Sequence, residues 1–149
     1  MKTLPSLSAL AVAAVLSAPG AAFAVDVEIT FENKHATRSA TYSHTTAIEN
    51  NTYANANPKP LATVLPGASD VYTVGNPLTP LVTSAQVVYT INDTSSTKKC
   101  VFHTSFTLPS SGIPNWTKSA TTSGGAVCTA TITYTNPNTY NWQVTFTMK

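Results

Sequence analysis

The segment from Val25 to Phe31 reads VDVEITF and alternates apolar and polar side chains without exception. Its apolar positions are Val25, Val27, Ile29 and Phe31. Successive side chains of a strand point to opposite faces, so the pattern predicts a strand with one buried and one solvated face. This segment favours a fold built from sheets.

The same alternation returns along the rest of the chain. Strands are predicted over residues 71–74, 86–91, 99–107, 126–134 and 140–148. The polar run Thr37 to His44 fits an edge strand or an extended loop, and residues 49–60 and 109–125 are predicted to be loops. No stretch after residue 24 keeps a 3.6-residue period, so no helix is expected. The predicted fold is all-β: a single antiparallel two-sheet β-sandwich over residues 25–149.

Residues 1–24 are predicted to be a cleaved secretory signal peptide. Lys2 supplies the positive start, an apolar stretch runs from Leu7 to Leu16, and Ala22-Phe23-Ala24 provides a small-x-small cleavage site. The apolar stretch is shorter than the roughly 20 residues that cross a bilayer. We therefore expect a mature chain that begins at Val25 and is secreted to the periplasm or the extracellular space.

Two cysteines, Cys100 and Cys128, follow the predicted cleavage site. Export is the setting in which disulfides form and persist, and two cysteines allow one intramolecular pairing. The loop that they would close spans roughly 30 residues, for which the chain-entropy model gives about 3.5 kcal/mol. Both cysteines lie in phase with apolar neighbours, so the predicted disulfide faces the core.

Composition excludes several classes of function. Of the 149 residues 9% are charged, against roughly 25% in typical soluble domains, and the formal net charge is +2. No basic excess is present to neutralise phosphates, so nucleic-acid binding is not expected. The chain is also too apolar for a disordered polymer.

The sequence contains no recognisable catalytic or cofactor motif. No nucleophile elbow or phosphate-binding glycine loop occurs, and the three histidines show no metal-ligand spacing. Asp26 and Glu28 share one strand face at about 6.5 to 7 Å, a separation that would suit a glycosidase pair, but a solvated outer face explains them more simply. We expect a protein that is not an enzyme and that uses no cofactor or metal.

Two aromatic residues in predicted loops are the candidate ligand contacts. Trp116 lies in IPNW and Tyr53 lies in NTYAN. An aromatic ring beside amides can stack on a sugar or settle at a membrane interface. The alternative for Trp116 is that it folds back over the end of the sandwich. Trp142 is in phase with Val144 and Phe146 and is expected in the core.

The order of several short motifs resembles that of the aegerolysins, which are small β-sandwich proteins that recognise membrane lipids and sometimes act with a pore-forming partner. The matching features, in chain order, are Phe31-Glu32-Asn33, Pro66-Gly67, Tyr89 to Asp93, Pro114-Asn115-Trp116 and the final strand Val144 to Met148. The chain departs from that family in its fewer tryptophans, its export signal and its predicted disulfide. The resemblance implies a β-sandwich that binds lipid.

The expected function is therefore recognition of a membrane lipid, a glycan or another cell-surface component by an exported protein. The alternative is a structural subunit of an extracellular filament or matrix. Because Val25 to Phe31 directly follows the predicted cleavage site, copies of the chain could assemble by donating this strand to a neighbour.

Overall fold

A computed structural model describes residues 25–76 and 81–149, and the predicted signal peptide lies outside these residues. The described residues form ten strands and one helix. In chain order the elements are β1 (Asp26–Asn33), β2 (Ala40–Ser43), α1 (Ala47–Asn55), β3 (Ala56–Asn57), β4 (Thr63–Val64), β5 (Ser69–Gly75), β6 (Val82–Asn92), β7 (Thr97–Thr107), β8 (Asn115–Ser123), β9 (Cys128–Thr135) and β10 (Trp142–Met148).

The strands form two five-stranded sheets that pack face to face, as predicted for a β-sandwich. Sheet A has the order β3-β5-β1-β10-β9, and sheet B has the order β4-β2-β6-β7-β8. The prediction of wholly antiparallel sheets is wrong at one place, because β1 and β10 pair in parallel from Val27–Trp142 to Asn33–Met148. Alternation reports which face of a strand is buried, but it carries no information about the direction of the neighbouring strand.

Strand β1 lies in the interior of sheet A, with β10 on one side and β5 on the other. Its alternation is confirmed, because Val27, Ile29 and Phe31 are fully buried while the intervening side chains reach the outer face. The segment that indicated the fold therefore pairs on both edges within its own chain.

The core lies between the sheets and is rich in aromatic rings. Phe31 stacks on Tyr89 across the sheets with ring centroids 3.4 Å apart, and Phe102 stacks on Phe146 at 4.7 Å. Trp142 is buried, as predicted, and its Nε1 donates to the Oγ1 of Thr104 at 2.9 Å. These contacts join β1 and β10 of sheet A to β6 and β7 of sheet B.

The predicted disulfide between Cys100 and Cys128 is present, with Cα atoms 5.8 Å apart. Cys100 is fully buried on β7, whereas Cys128 is only half-buried at the start of β9. The disulfide therefore joins sheet B to sheet A at the margin of the core.

Helix α1 replaces part of the loop predicted over residues 49–60. Thr46 caps the helix by accepting from the N–H of Glu49, whose carboxylate in turn accepts from the N–H groups of Thr45 and Thr46 at 2.7 and 3.0 Å. Burial opposes ionisation of Glu49, but these bonds and one from Gln86 outweigh it and lower its pKa to about 2. The signal that was missed is the capping box Thr46-x-x-Glu49.

Strand β8 replaces part of the loop predicted over residues 109–125. Its outward positions carry Asn115, Thr117, Ser119, Thr121 and Ser123. It is an edge strand that pairs with β7, and most of its inward residues are small or polar, so hydrophobic alternation does not reveal it.

Candidate functional site

The loops at one end of the sandwich come together where β1, β6, β8 and β10 begin. The N–H of Leu108 donates to the carbonyl of Leu81 at 2.9 Å, and the side-chain amide of Asn76 donates to the carbonyl of Val82 at 3.0 Å. We call this region the neutral end; it comprises Asn76 and residues 81–82, 108–116 and 136–141. None of these described residues is charged.

Charged side chains gather at the opposite end of the sandwich. We call that region the charged end; it comprises residues 34–39, 65–68, 93–96 and 124–127. His35 and Lys98 both lie 3.8 Å from the carboxylate of Asp93, and Lys34 pairs with Glu32 at 3.0 Å. A hydrogen bond from the N–H of Thr94, followed by the neighbouring cations, lowers the pKa of Asp93. The two ends therefore differ sharply in charge.

Apolar side chains are exposed at the neutral end. Ile113 is 70% exposed, Leu81 is 51% exposed and Val82 is 46% exposed. Leu81 lies in the loop between β5 and β6, Val82 is the first residue of β6, and Ile113 lies in the loop between β7 and β8. Apolar side chains exposed on loops that carry no charged residue are typical of an interaction site.

Trp116 lies at the neutral end on β8 rather than in a loop, which corrects its predicted setting. It is half-buried, its ring centroid lies 5.6 Å from that of Phe106, and its Nε1 donates to the carbonyl of Tyr140 at 3.2 Å. The backbone of Tyr140 has a φ angle of 64°, in the left-handed region that residues other than glycine rarely adopt. Because its ring contacts Phe106 and its N–H bonds to Tyr140, Trp116 also packs against the end of the sandwich.

An open groove of about 240 Å³ lies beside the neutral end on the outer face of sheet A. Its lining residues are Asp26, Glu28, Thr73, Tyr134, Asn141, Trp142 and Gln143. Thr73, Glu28, Gln143 and Tyr134 occupy paired positions on four neighbouring strands, in that order. With strands about 4.8 Å apart, this row is roughly 14 Å long.

Two carboxylates enter the groove, and none of the ion pairs among the described residues involves either of them. The N–H of Asp26 donates to the side-chain oxygen of Asn141 at 3.0 Å, which fixes the first residue of β1 against the loop before β10. Partial burial raises the pKa of the Asp26 carboxyl. Lysine, arginine and histidine are absent from the described lining, so the groove presents acceptors, amides and an aromatic ring.

Tyr53, the other predicted contact, lies on helix α1 and does not line this groove. Its ring stacks on that of His44 at 4.2 Å and lies 6.1 Å from that of Tyr42. The Nζ of Lys59 lies 5.3 Å from the same ring and donates to the carbonyls of Tyr53 and Ala54. Tyr53 is thus half-buried within a cluster formed by its own chain.

Sequence reasoning placed Asp26 and Glu28 on a solvated face and did not select Tyr134, Asn141 or Gln143. The alternation of β1, β9 and β10 puts these side chains outside the core, but only the strand pairing makes them neighbours. The exposure of Ile113 also depends on how the loop of residues 108–114 folds.

Within residues 25–76 and 81–149, no helix has the length and apolar character needed to cross a membrane. The same residues contain no group of three or more histidine, cysteine, aspartate or glutamate side chains placed to hold a metal ion. Comparison of the chain with protein-family models, with curated proteins and with solved structures finds no match.

Proposed function

We propose that this protein is an exported, non-enzymatic recognition module that docks on a neutral membrane surface through its neutral end. The observation that carries the proposal is the segregation of charged side chains along the sandwich, which leaves apolar side chains exposed at one end without charged loop residues. Ile113, Leu81 and Val82 are exposed at an end without charged loop residues, while Lys34, Asp93 and their neighbours lie at the other end.

The physical basis is the transfer of exposed apolar surface out of water. Full burial of an aliphatic side chain is worth about 1.5–3 kcal/mol, so the three exposed side chains together support weak, reversible binding. Trp116 and Tyr140 lie at the same end of the sandwich and are joined by a hydrogen bond, and rings with a polar edge favour the boundary between lipid and water. A neutral contact surface gains nothing from anionic lipids, so the binding is expected to depend little on salt.

Two further observations agree with this proposal. The resemblance to the aegerolysins implies a lipid-binding β-sandwich, and the disulfide is typical of proteins that work in an oxidising compartment. Filament assembly by donation of β1 would require that strand to leave β10 and β5, each of which pairs with it at seven positions. We therefore favour recognition over assembly.

Replacing Ile113 with serine is expected to weaken binding to neutral phosphatidylcholine vesicles by about tenfold, because the variant lacks most of an aliphatic side chain that docking would bury in the membrane. Cosedimentation at several lipid concentrations measures the change. The matched control is Leu65→Ser, because Leu65 is 63% exposed but lies at the charged end. Equal losses in both variants, or no loss in either, would contradict docking through the neutral end.

A further inference from the structure

We infer that the groove beside the neutral end binds a neutral hexopyranose, such as the terminal sugar of a cell-surface glycan. This inference rests on the proposed function, since it specifies which surface the module recognises. The groove is bounded by Asn141, the last residue of the neutral end, so a sugar on a docked surface would lie close to it.

The polar lining matches the hydrogen-bonding capacity of a sugar. Hydroxyl groups of a pyranose can donate to the carboxylates of Asp26 and Glu28 and accept from the side-chain amide of Gln143. Glu28 and Gln143 are paired neighbours on β1 and β10, so their side chains can reach adjacent hydroxyl groups. The hydroxyl of Thr73 continues the same row on β5.

Tyr134 supplies the apolar part of the site. Tyr134 is 50% exposed, so much of the apolar surface of its aromatic ring lies in water. It closes the row at β9, opposite Gln143. A pyranose has C–H groups on its faces and hydroxyl groups at its rim, so it can cover the ring while its rim meets the polar side chains.

The charge of the groove excludes acidic sugars. Two carboxylates without a basic residue in the described lining repel a uronic or sialic acid. A simple ammonium ligand would satisfy Asp26 and Glu28, but it has no acceptor for the amides of Asn141 and Gln143. A neutral ring rich in hydroxyl groups uses the whole lining.

The test is titration of the exported protein with six soluble monosaccharides, followed by ligand-observed NMR. The panel is glucose, galactose, mannose, fucose, N-acetylglucosamine and N-acetylgalactosamine. At least one is expected to bind, with an affinity weakened about fivefold by Tyr134→Ala and by Glu28→Gln. Glu32→Gln is the matched control, because Glu32 lies on the same strand face outside the groove and pairs with Lys34.

Binding of none of the six sugars would overturn the inference, and so would unchanged affinity in both groove variants. Preferential binding of ethanolamine or glucuronic acid, included as cationic and anionic probes, would also overturn it. Thermal melts confirm that each variant is folded, and Gln143→Ala provides a second groove variant if Tyr134→Ala is not.

This experiment separates the inference from the proposed function, because soluble sugars require no membrane. Ile113→Ser is expected to leave sugar affinity unchanged while it weakens vesicle binding. Two further probes then distinguish the two sources of the ligand. One is a vesicle that carries a neutral glycolipid, and the other is a soluble glycoprotein with the same terminal sugar. Stronger binding to glycolipid vesicles than to plain phosphatidylcholine, lost in Tyr134→Ala, identifies the lipid source, and binding to the glycoprotein alone identifies the other.

Discussion

Replacing Trp142 with alanine is expected to lower the free energy of unfolding by about 3–5 kcal/mol. The side chain is fully buried between the sheets, with its ring 6.1 Å from that of Phe106. Its removal leaves a cavity and deprives the hydroxyl of Thr104 of the indole N–H that it accepts. That hydroxyl also donates to the carbonyl of Thr117. The substitution therefore interrupts a chain of hydrogen bonds that links β10 to β7 and β8.

Denaturant unfolding of the two proteins measures this effect. Gln143→Ala is the matched control, because the next residue on β10 points to the outer face and its removal should change stability by less than about 0.5 kcal/mol. A loss of under about 1 kcal/mol in Trp142→Ala would show that this tryptophan does not join the two sheets as described.

Loss of the disulfide is expected to lower the free energy of unfolding by about 3.5 kcal/mol. Cys100 and Cys128 are separated by 28 residues, and the bond restricts this loop, which contains β8, in the unfolded chain. Small domains are stable by only about 5–15 kcal/mol, so the change is a large fraction of the total. Unfolding with and without reductant, and of the double variant Cys100→Ala/Cys128→Ala, measures it.

The double variant also serves as the control for the reductant, which should leave its unfolding midpoint unchanged. Mass spectrometry of freshly exported, unreduced protein is expected to show the oxidised mass. Two free thiols in that material, or equal midpoints for the native and reduced protein, would contradict a stabilising disulfide.

Much of the fold follows from side-chain alternation along the chain. The period-two patterns in β1, β7 and β10 reflect one buried face each, and the structure confirms their inward residues, from Val27 to Met148. The pairing of Cys100 with Cys128 could be predicted for a different reason, because an exported chain with two cysteines allows one intramolecular disulfide. In these segments local pattern and tertiary burial agree.

The errors have different physical causes. Helix α1 is nine residues long and rich in asparagine, so it has no apolar stripe, and its start is marked by the polar capping box at Thr46. Strand β8 lies at an edge, where few of its side chains are buried, so backbone pairing with β7 determines its conformation. The parallel pairing of β1 with β10 depends on contacts between the two ends of the chain.

The candidate site was the least predictable feature. Its groove combines Glu28, Gln143 and Tyr134, which are distant in sequence and meet only through the order of β1, β10 and β9. The sequence around Trp116 predicts a loop, whereas the structure places this residue on β8. Its position at the neutral end is set by strand pairing and by its contact with Phe106. Tertiary pairing, rather than local pattern, assembles this region.

The most direct test of docking through the neutral end is quenching of tryptophan fluorescence by brominated phosphatidylcholine vesicles. The chain has two tryptophans: Trp142 is buried in the core, and Trp116 lies at the neutral end. We expect bound vesicles to quench a component of the emission that disappears in Trp116→Phe and is insensitive to salt. Binding without quenching of Trp116, or no binding at millimolar lipid, would contradict the proposed orientation and function.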